Sequence, residues 1–341
     1  MYDSTYEKEK LEMSYQPPYT ITNQILAYVY SIYEKIGNIS ATHNLESKPH
    51  LRRNNRIRSI HSSLKIEANS LSLGQVRDVI NGKIVLGKQK EIQEVKNAFD
   101  VYERIKEIDP YDIEELKKSQ GIMTKYVVDI SGEFRNSDEG VFDDRGRCIF
   151  RAPPYLVPSL MDDLFNWIQD EKDNTHPLIL SCIFHYEFVF IHPFCDGNGR
   201  IARLWHTTLL SKWKPIFEYI PLESQIEKFQ DDYYSVVAKC HVLGESTLFI
   251  EFMLSQIDKI LDDISKQVNE DIGQIAPNIK KLLDVMKDDV SYSSNELMQK
   301  LNLKAKEGFR RNYLRPAIDQ NLIYMTIPDK PKSKNQRYIK V

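Results

Sequence analysis

Apolar residues recur at the spacing of a helix face along most of the 341 residues, so the sequence predicts a mainly α-helical fold. Residues 178–191 are almost all apolar or aromatic, which predicts a buried helix. An apolar face recurs over 201–213, and the glycine-rich segment between these two helices predicts a tight polar loop. Further helices are predicted at 22 to about 40, 91–107, 157–168, 231–243 and 248–268, with 221–227 as a connection. Gly37-Asn38 could end the first of these helices.

Two regions depart from the helical pattern. Residues 141–150 contain two short apolar runs around Asp144-Arg145-Gly146, which favours a β-hairpin. Residues 276–341 predict helices at 278–286, 294–301 and 309–320, and then a hairpin of 322–327 and 336–341. Three helices followed by a hairpin describe a winged helix, so we expect a small α+β domain at this end of the sequence.

The composition is typical of a soluble globular protein, with 41% hydrophobic and 28% charged residues and a net charge of −3. No apolar run approaches the roughly 20 residues needed to span a membrane, and residues 1–12 lack the core of a signal peptide. The four cysteines have no metal-ligand spacing, which predicts reduced thiols and a cytoplasmic location. Residues 276–341 carry a charge of +7, so the remainder carries −10.

The loop that follows residue 191 has the chemistry of an anion site. Gly197 and Gly199 allow close backbone approach, and Asn198 tolerates left-handed geometry and supplies an amide donor. The N–H groups at the start of the next helix favour negative charge. Arg200 and Arg203 lie on one face of its first turn, and paired guanidinium groups suit a polyphosphate.

Two further groups in this loop indicate chemistry as well as binding. Asp196 is an unusual neighbour for an anion unless a cation lies between them, and Mg²⁺ held by one carboxylate and substrate phosphates meets that requirement. His192 is the group here whose ordinary pKa allows it to accept a proton near neutral pH.

The segment from His192 to Arg203 also resembles the signature of the Fic-domain family, His-x-Phe-x-Asp/Glu-Gly-Asn-Gly-Arg-x-x-Arg, at every fixed position. Members of that family mostly transfer AMP from ATP to a hydroxyl side chain of a target protein. The resemblance implies that His192 is the catalytic base and that Asp196 holds magnesium. It implies that the phosphates are bound by Gly197, Asn198, Gly199, Arg200 and Arg203.

A second motif lies upstream, near the end of a helix predicted before residue 67. Taken alone, Glu67 is typical of a surface carboxylate. Many Fic proteins, however, carry an inhibitory motif, Ser/Thr-x-x-x-Glu-Gly/Asn, and Ser63 and Glu67 match it in type and spacing. Ala68 departs from the usual Gly/Asn. The resemblance implies that Glu67 pairs with Arg203 and blocks the γ-phosphate of the nucleotide.

The resemblance also assigns roles to the hairpin and to two tyrosines. In Fic proteins the hairpin is a flap that lines the nucleotide and docks the target by main-chain pairing. This implies nucleotide contacts from Cys148, Ile149, Phe150 and Arg151 in the flap and from Tyr233 and Tyr234 beside the adenosine. His241 stands where members often have Asn, which leaves the adenine contact open.

The combined prediction is a Fic-type helical core with a β-hairpin flap and a C-terminal winged helix. Its parts are 1–85, an N-terminal arm and inhibitory helix; 86–270, the Fic core; and 276–341, the winged helix. The predicted activity is AMP transfer from Mg-ATP to a Ser, Thr or Tyr hydroxyl. Transfer of the γ-phosphate, removal of AMP from a target, and nucleotide sensing by a DNA-binding regulator are the alternatives.

The partners follow from the same features. A target protein would present its hydroxyl group to the flap. Basic side chains on the third helix of the winged helix, Arg310, Arg311 and Arg315, could contact phosphates of DNA, although many winged helices bind protein instead. Whether the protein forms a homo-oligomer stays open.

Overall fold

The computed structural model describes residues 15–43, 49–137, 141–142, 148–150, 152–274, 276–287, 290–319, 322–327, 330–331 and 333–340. These residues form two compact units. The first contains the described residues up to 34 together with 55–261, and the second contains the described residues of 35–54 and those from 262 onward. The predicted mainly α-helical fold is confirmed.

The helices up to residue 274 account for about half of the chain. They are α1 (Asn23–His43), α2 (Pro49–Ile66), α3 (Leu73–Ile80), α4 (Gln89–Glu103), α5 (Ile113–Thr124), α6 (Val157–Glu171), α7 (Pro177–Ile191), α8 (Asn198–Trp213), α9 (Leu222–Lys228), α10 (Gln230–Leu243) and α11 (Thr247–Gln274). Short 3₁₀ helices occur at Pro154–Leu156 and Pro215–Tyr219. Among the described residues, no helix has the length and apolar character needed to cross a membrane.

Helices α7 and α8 form the centre of the first unit, and almost every residue of both is buried. The apolar sequence of α7 explains this burial. Phe184 of α7 and Trp205 of α8 are fully buried, with ring centroids 6.5 Å apart. The indole of Trp205 donates a hydrogen bond to the carbonyl oxygen of Pro110 at 2.9 Å. Burial of each such aromatic side chain contributes about 1.5–3 kcal/mol, so the loop between these helices is anchored at both ends.

Two predicted features of the helices were wrong. Gly37-Asn38, the possible end of the first helix, lies within α1, which continues to His43, because Gly37 and Asn38 are on an exposed face while Ile36 and Ile39 are buried. Exposed glycine weakens a helix by only about 1 kcal/mol, so it need not end one. The connection predicted at 221–227 contains α9, whose apolar residues four apart are buried.

The predicted hairpin is present as a pair of antiparallel strands, β1 (Val141–Phe142) and β2 (Cys148–Phe150). Val141 is opposite Phe150, and Phe142 is opposite Cys148. The turn residues 143–147 lie outside the described residues. Asp112 caps the start of α5, because its carboxylate accepts a hydrogen bond from the backbone N–H of Glu114 at 2.8 Å.

The second unit has its own small core and a three-stranded sheet. Its elements are α12 (Pro277–Asp284), β3 (Ser291–Ser293), α13 (Ser294–Lys300), α14 (Lys306–Phe309), a π-helical turn (Arg310–Leu314), α15 (Arg315–Asp319), β4 (Ile323–Met325) and β5 (Arg337–Lys340). The strand order is β3-β5-β4, and both pairings are antiparallel. The predicted three helices and hairpin are therefore confirmed in outline. The capping box of Ser293 and Glu296 is formed at the start of α13.

Strand β3 was missed because three residues are too few for a two-residue period to be recognised. Tyr292 of β3 pairs with Tyr338 of β5, and both side chains are buried. Phe309, Leu314 and Ile323 complete this core from the third helical segment and β4. The predicted division of the chain into three parts stays a prediction.

Candidate functional site

The loop between α7 and α8 begins and ends with left-handed backbone. His192 is the C-terminal cap of α7, with φ 52° and ψ 60°, and Gly197 precedes α8 with φ 84°. Glycine adopts this conformation freely. For a histidine it costs about 1–2 kcal/mol, so contacts from elsewhere must hold His192 in place.

Asn198 fixes the shape of the loop. Its side-chain oxygen accepts a hydrogen bond from the backbone N–H of Phe194 at 2.9 Å, and its amide group donates to the carbonyl oxygen of Phe194 at 2.7 Å. Phe194 is fully buried and packs against Phe134 and Phe188, with ring centroids at 5.3 and 6.2 Å. Phe194 therefore anchors the loop by packing, and the Asn198 side chain holds the loop together through its two hydrogen bonds to the Phe194 backbone.

Asp196 of the loop and Arg200 on the first turn of α8 form an ion pair. The Nη2 atom of Arg200 donates to Oδ1 of Asp196 at 2.6 Å, and the side chain of Arg200 is only 4% exposed. Its Nε atom is buried without a hydrogen-bond acceptor among the described residues. Glu94 of α4 lies 3.7 Å from Nη1. A buried guanidinium with an unfilled donor fits a site that accepts an anion.

Arg203, one turn further along α8, is held by the end of α2. Its Nε donates to Oγ of Ser63 at 3.1 Å, and its Nη2 donates to the carbonyl oxygen of Ser63 at 2.9 Å and to Oε1 of Glu67 at 2.8 Å. The side chain of Arg203 is 1% exposed and that of Glu67 is 37% exposed. Burial is the largest effect and acts to lower the pKa of Arg203, but the Glu67 carboxylate together with Tyr233 and Tyr102 outweighs it, so the pKa is raised and the charge is retained.

The geometry that ends α2 places Glu67 against Arg203. The N–H of Asn69 donates to the carbonyl oxygen of Leu64, and the N–H of Ala68 donates to that of Lys65. This is the Schellman motif, in which Ala68 has the position that requires left-handed backbone, and its φ is 64°. The Gly/Asn of the family motif is the residue type that this position favours, and Ala68 adopts the same conformation with strain.

The two tyrosines of α10 lie in different environments. Tyr233 is buried, and its hydroxyl group forms a hydrogen bond with Nε2 of His185 at 3.0 Å. Tyr234 is 49% exposed. Burial raises the pKa of both phenols. Tyr233 is thus part of the core, and Tyr234 is the tyrosine of the two that is open to solvent; their predicted contacts with adenosine stay predictions.

A buried polar network behind Arg203 was not predicted from the sequence. Glu223 accepts hydrogen bonds from Ser59 at 2.7 Å and from Tyr102 at 2.8 Å. Burial and the neighbouring His206 keep the pKa of His185 well below its ordinary value, so that ring is neutral. His185 was recognisable as a polar residue within an apolar run, whereas Glu223 gave no signal in the sequence.

Gln120 of α5 supports the loop from the opposite side and was also missed. Its side-chain amide donates to the carbonyl oxygen of Asp196 at 3.0 Å, and its side-chain oxygen accepts from the N–H of Gly132. Gln120 is buried although it is polar. The signal available in the sequence was a polar residue on the apolar face of an amphipathic helix. Nothing in a single sequence shows that it contacts a residue 76 positions away.

The flap residues are described only in part. Cys148, Ile149 and Phe150 form β2, and Arg151 lies outside the described residues. Their predicted contacts with a nucleotide stay predictions.

The donors at the loop fit magnesium in one specific way. Among the described residues, no group of three His, Cys, Asp or Glu side chains is arranged to hold a metal ion. The described residues therefore contain no metal site in which three such side chains are the ligands. Asp196, whose side chain is 35% exposed, offers one carboxylate, and Mg²⁺ is commonly held by one or two carboxylates together with substrate phosphates.

These features define a helical protein in which a polar loop between two buried helices is closed by a carboxylate from a third helix. Residues 108–210 match the family model described as Fic/DOC family. Residues 277–339 match the model described as Filamentation induced by cAMP protein Fic-like, C-terminal domain. A crystal structure of a Fic family protein from Desulfovibrio desulfuricans G20 is 42% identical, with a TM-score of 0.73 over 96% of this chain and 98% of that one. The chain belongs to the Fic family.

Curated relatives carry names that describe an activity. Protein adenylyltransferase fic-1 of Caenorhabditis elegans is 26% identical over 73% of this chain and 47% of its own length. Protein adenylyltransferase Fic of Drosophila grimshawi is 28% identical over 68% of this chain and 48% of its own length. The chain thus spans about half the length of the curated relatives it matches.

Proposed function

We propose that the protein is an adenylyltransferase that transfers AMP from ATP to a Ser, Thr or Tyr hydroxyl of a target protein and is inhibited by its own Glu67. The contact of 2.8 Å between Glu67 and Arg203 is the observation that carries this proposal. It joins the two motifs that the sequence contains, 136 residues apart. The names of the curated relatives support the same reaction.

The inhibition follows from competition for one guanidinium group. Arg203 is buried, and its Nε and Nη2 atoms already donate to Ser63 and Glu67. A γ-phosphate that approached Arg203 would meet the Glu67 carboxylate, which has the same sign of charge. Withdrawal of Glu67 would leave Arg203 with an unfilled donor, and a phosphate oxygen suits that donor.

The reaction requires a base, a leaving group, and a set of donors that binds the phosphates. We call this set, which is Arg200, Arg203 and the N–H groups at the start of α8, the phosphate cradle. His192 takes the proton from the hydroxyl group of the target as its oxygen forms a bond to the α-phosphorus of ATP. The bond from the α-phosphorus to the bridging oxygen breaks, and pyrophosphate leaves with that electron pair. Arg200, Arg203 and the N–H groups at the start of α8 stabilise the negative charge on the phosphates.

Asp196 is the residue that would hold magnesium, which when bound offsets the charge that develops on the phosphate oxygens. Its pairing with Arg200 orients the carboxylate within the loop. Gln120 holds the backbone of Asp196 in turn.

The flap would receive the target. An exposed strand edge pairs with an extended peptide through main-chain hydrogen bonds, which requires little of the peptide sequence. The assignment of residues 276–341 as a winged helix and a cytoplasmic location also belong to this proposal.

The test uses Glu67→Gly protein with magnesium, host lysate, and ATP labelled in parallel at the α- or the γ-phosphate. We expect protein-bound label from α-labelled ATP alone, more than with the wild type, and none with Glu67→Gly/His192→Ala. Glu227→Gln is the matched control, because it removes an ion pair between Glu227 and Lys65 of α2 without touching Arg203. A folded Glu67→Gly protein without label would contradict the proposal.

Each alternative has its own outcome in that experiment. Label from γ-labelled ATP alone would identify a kinase. Loss of AMP from a labelled target, dependent on Glu67, would identify removal of AMP. Nucleotide binding without any label, together with salt-dependent DNA binding, would favour the regulator.

A further inference from the structure

The left-handed backbone of His192 requires support from outside its own helix. A histidine at φ 52° is strained, and α7 ends at the preceding residue. A base must also lie within hydrogen-bond reach of the hydroxyl group it deprotonates, so a small change at this residue has a large effect on rate. The residue that holds this backbone is therefore part of the catalytic geometry.

Arg135 provides that support. Its Nε atom donates to the carbonyl oxygen of His192 at 2.7 Å, and its backbone N–H donates to that of Pro193 at 2.8 Å. Its Nη2 atom lies 3.4 Å from the carbonyl oxygen of Ile191. Three successive carbonyl groups at the end of α7 thus accept hydrogen bonds from one residue.

The same guanidinium group reaches both ends of the flap. Its Nη1 atom donates to the carbonyl oxygen of Ser137 at 3.0 Å, four residues before β1, and its Nη2 atom donates to that of Ala152 at 2.8 Å, two residues after β2. These are the points at which the hairpin leaves and rejoins the helical core. Arg135 therefore connects the backbone of the candidate base to the segment that would carry the target.

The placement is also electrostatically sound. Arg135 is only 2% exposed, and a buried cation needs compensation. The C-terminal end of a helix carries a partial negative charge, and α7 ends at Ile191. A planar guanidinium has five donors in a fixed arrangement, which a lysine ammonium cannot reproduce.

We propose that Arg135 is a positioning residue for AMP transfer, which fixes His192 relative to the flap so that the base and the hydroxyl group of the target meet. This inference depends on the function proposed above. The side-chain hydrogen bonds described for Arg135 go to main-chain carbonyl oxygens, so it would act through the backbone rather than through contact with nucleotide or target. Its loss should therefore lower the rate of the chemical step while nucleotide affinity is retained, because the phosphate cradle on α8 is held separately by Asn198 and Gln120.

The experiment compares Arg135→Gln and Arg135→Lys with their parent, each in the Glu67→Gly background. Arg104→Gln is the matched control, because Arg104 is a partly buried arginine that pairs with Glu115, away from the loop. We expect kcat for labelling to fall about 10- to 100-fold in Arg135→Gln. Arg135→Lys should be intermediate, and nucleotide Kd should change less than about threefold in both, since the direct phosphate contacts remain.

A second measurement does not require activity. Hydrogen exchange of peptides covering 188–196 and 152–156 should accelerate together in Arg135→Gln, and neither should change in Arg104→Gln. Unchanged exchange in either peptide would overturn the inference, even if the Glu67→Gly parent proved inactive and the proposed function had failed.

Three other results would also overturn it. The first is full kcat in a folded Arg135→Gln protein. The second is a loss of nucleotide affinity as large as the loss of kcat, which would show general collapse of the loop. The third is failure of both Arg135 variants to fold, which would assign Arg135 to folding alone.

Discussion

The Oε1 atom of Glu67 fills the space that a side chain on Gly199 would need. A Cβ atom on Gly199 would overlap Oε1 and lie 3.1 Å from Nη1 of Arg203. Glu67, directly after α2, therefore complements the loop in shape at Gly199 and in charge at Arg203. The same space is what a phosphate bound to Arg203 would occupy in the proposed reaction.

Gly199→Ala should therefore displace Glu67 without activating the protein. The added methyl group excludes the carboxylate and the phosphate alike. The double variant Glu67→Gly/Gly199→Ala should therefore label targets at least about tenfold less than Glu67→Gly. This factor corresponds to the loss of one charge-assisted hydrogen bond to the phosphate. Gly74→Ala is the control, because its added Cβ would find no atom nearer than 3.9 Å. Activity in Gly199→Ala equal to that of Glu67→Gly would show that the phosphate lies elsewhere.

Ser63→Ala should relieve inhibition in part. Nε of Arg203 would lose its acceptor while remaining buried, which costs about 1–3 kcal/mol. Nη2 would still contact Glu67, so labelling should exceed that of the wild type and stay below that of Glu67→Gly. Ser62→Ala, which removes a hydroxyl group bonded to Glu227, is the control. Labelling equal to the wild type would mean that Ser63 does not help to hold Arg203.

Ala68→Gly should strengthen inhibition. It removes left-handed strain of about 1–2 kcal/mol at the end of α2, offset in part by the greater freedom of glycine in the unfolded chain. We expect the free energy of unfolding to rise by about 0.5–1 kcal/mol and basal labelling to fall. Ala27→Gly, at an exposed position within α1, should instead destabilise the protein. Higher basal labelling in Ala68→Gly would contradict this account of Glu67.

Glu187 should make stability depend on pH. Burial raises its pKa from 4.5 to about 7, against the effect of a hydrogen bond from Tyr15 at 2.6 Å. A raised pKa means that its contribution is complete below about pH 4.5 and is lost as pH rises through 7. Denaturant unfolding should show the wild type losing up to about 3 kcal/mol relative to Glu187→Gln between pH 5 and 8. Parallel pH profiles for the two proteins would refute the prediction.

The C-terminal unit should bind duplex DNA weakly and with strong salt dependence. Arg310, Arg311 and Arg315 line a cleft of about 970 Å³, and within the described residues none of them pairs with a carboxylate. Fluorescence anisotropy should show affinity falling with salt, and the triple alanine variant should lower the salt slope by about three. Substitution of Lys280, Lys281 and Lys300 is the control. A slope that is unchanged in the arginine variant would exclude this face.

The sequence predicted those parts of the fold and site that depend on local patterns. The buried helix α7, the loop from His192 to Arg203 and the approach of Glu67 to Arg203 all followed from residue type, period or motif. The positions of these groups agree with the prediction, and their roles await the experiments above.

The parts that were missed depend on contacts between distant residues. Arg135 and Gln120 reach the loop across 57 and 76 positions, and nothing in their local sequence specifies those partners. Strand β3 was too short to show a period, and its pairing with β5 is set by tertiary structure. Gly37 resembled a helix end because its exposure within α1 was not visible in the sequence.

The burial of Arg203 has a consequence for how tightly a nucleotide can appear to bind. A guanidinium group that is 1% exposed requires an anion. In the absence of nucleotide, most molecules should therefore hold Glu67 against Arg203. Under the proposed function, the apparent affinity is the intrinsic affinity reduced by the fraction of molecules in which Glu67 has withdrawn. A partner that holds the end of α2 away from Arg203 would raise that fraction, and tighter nucleotide binding and faster turnover would then rise together.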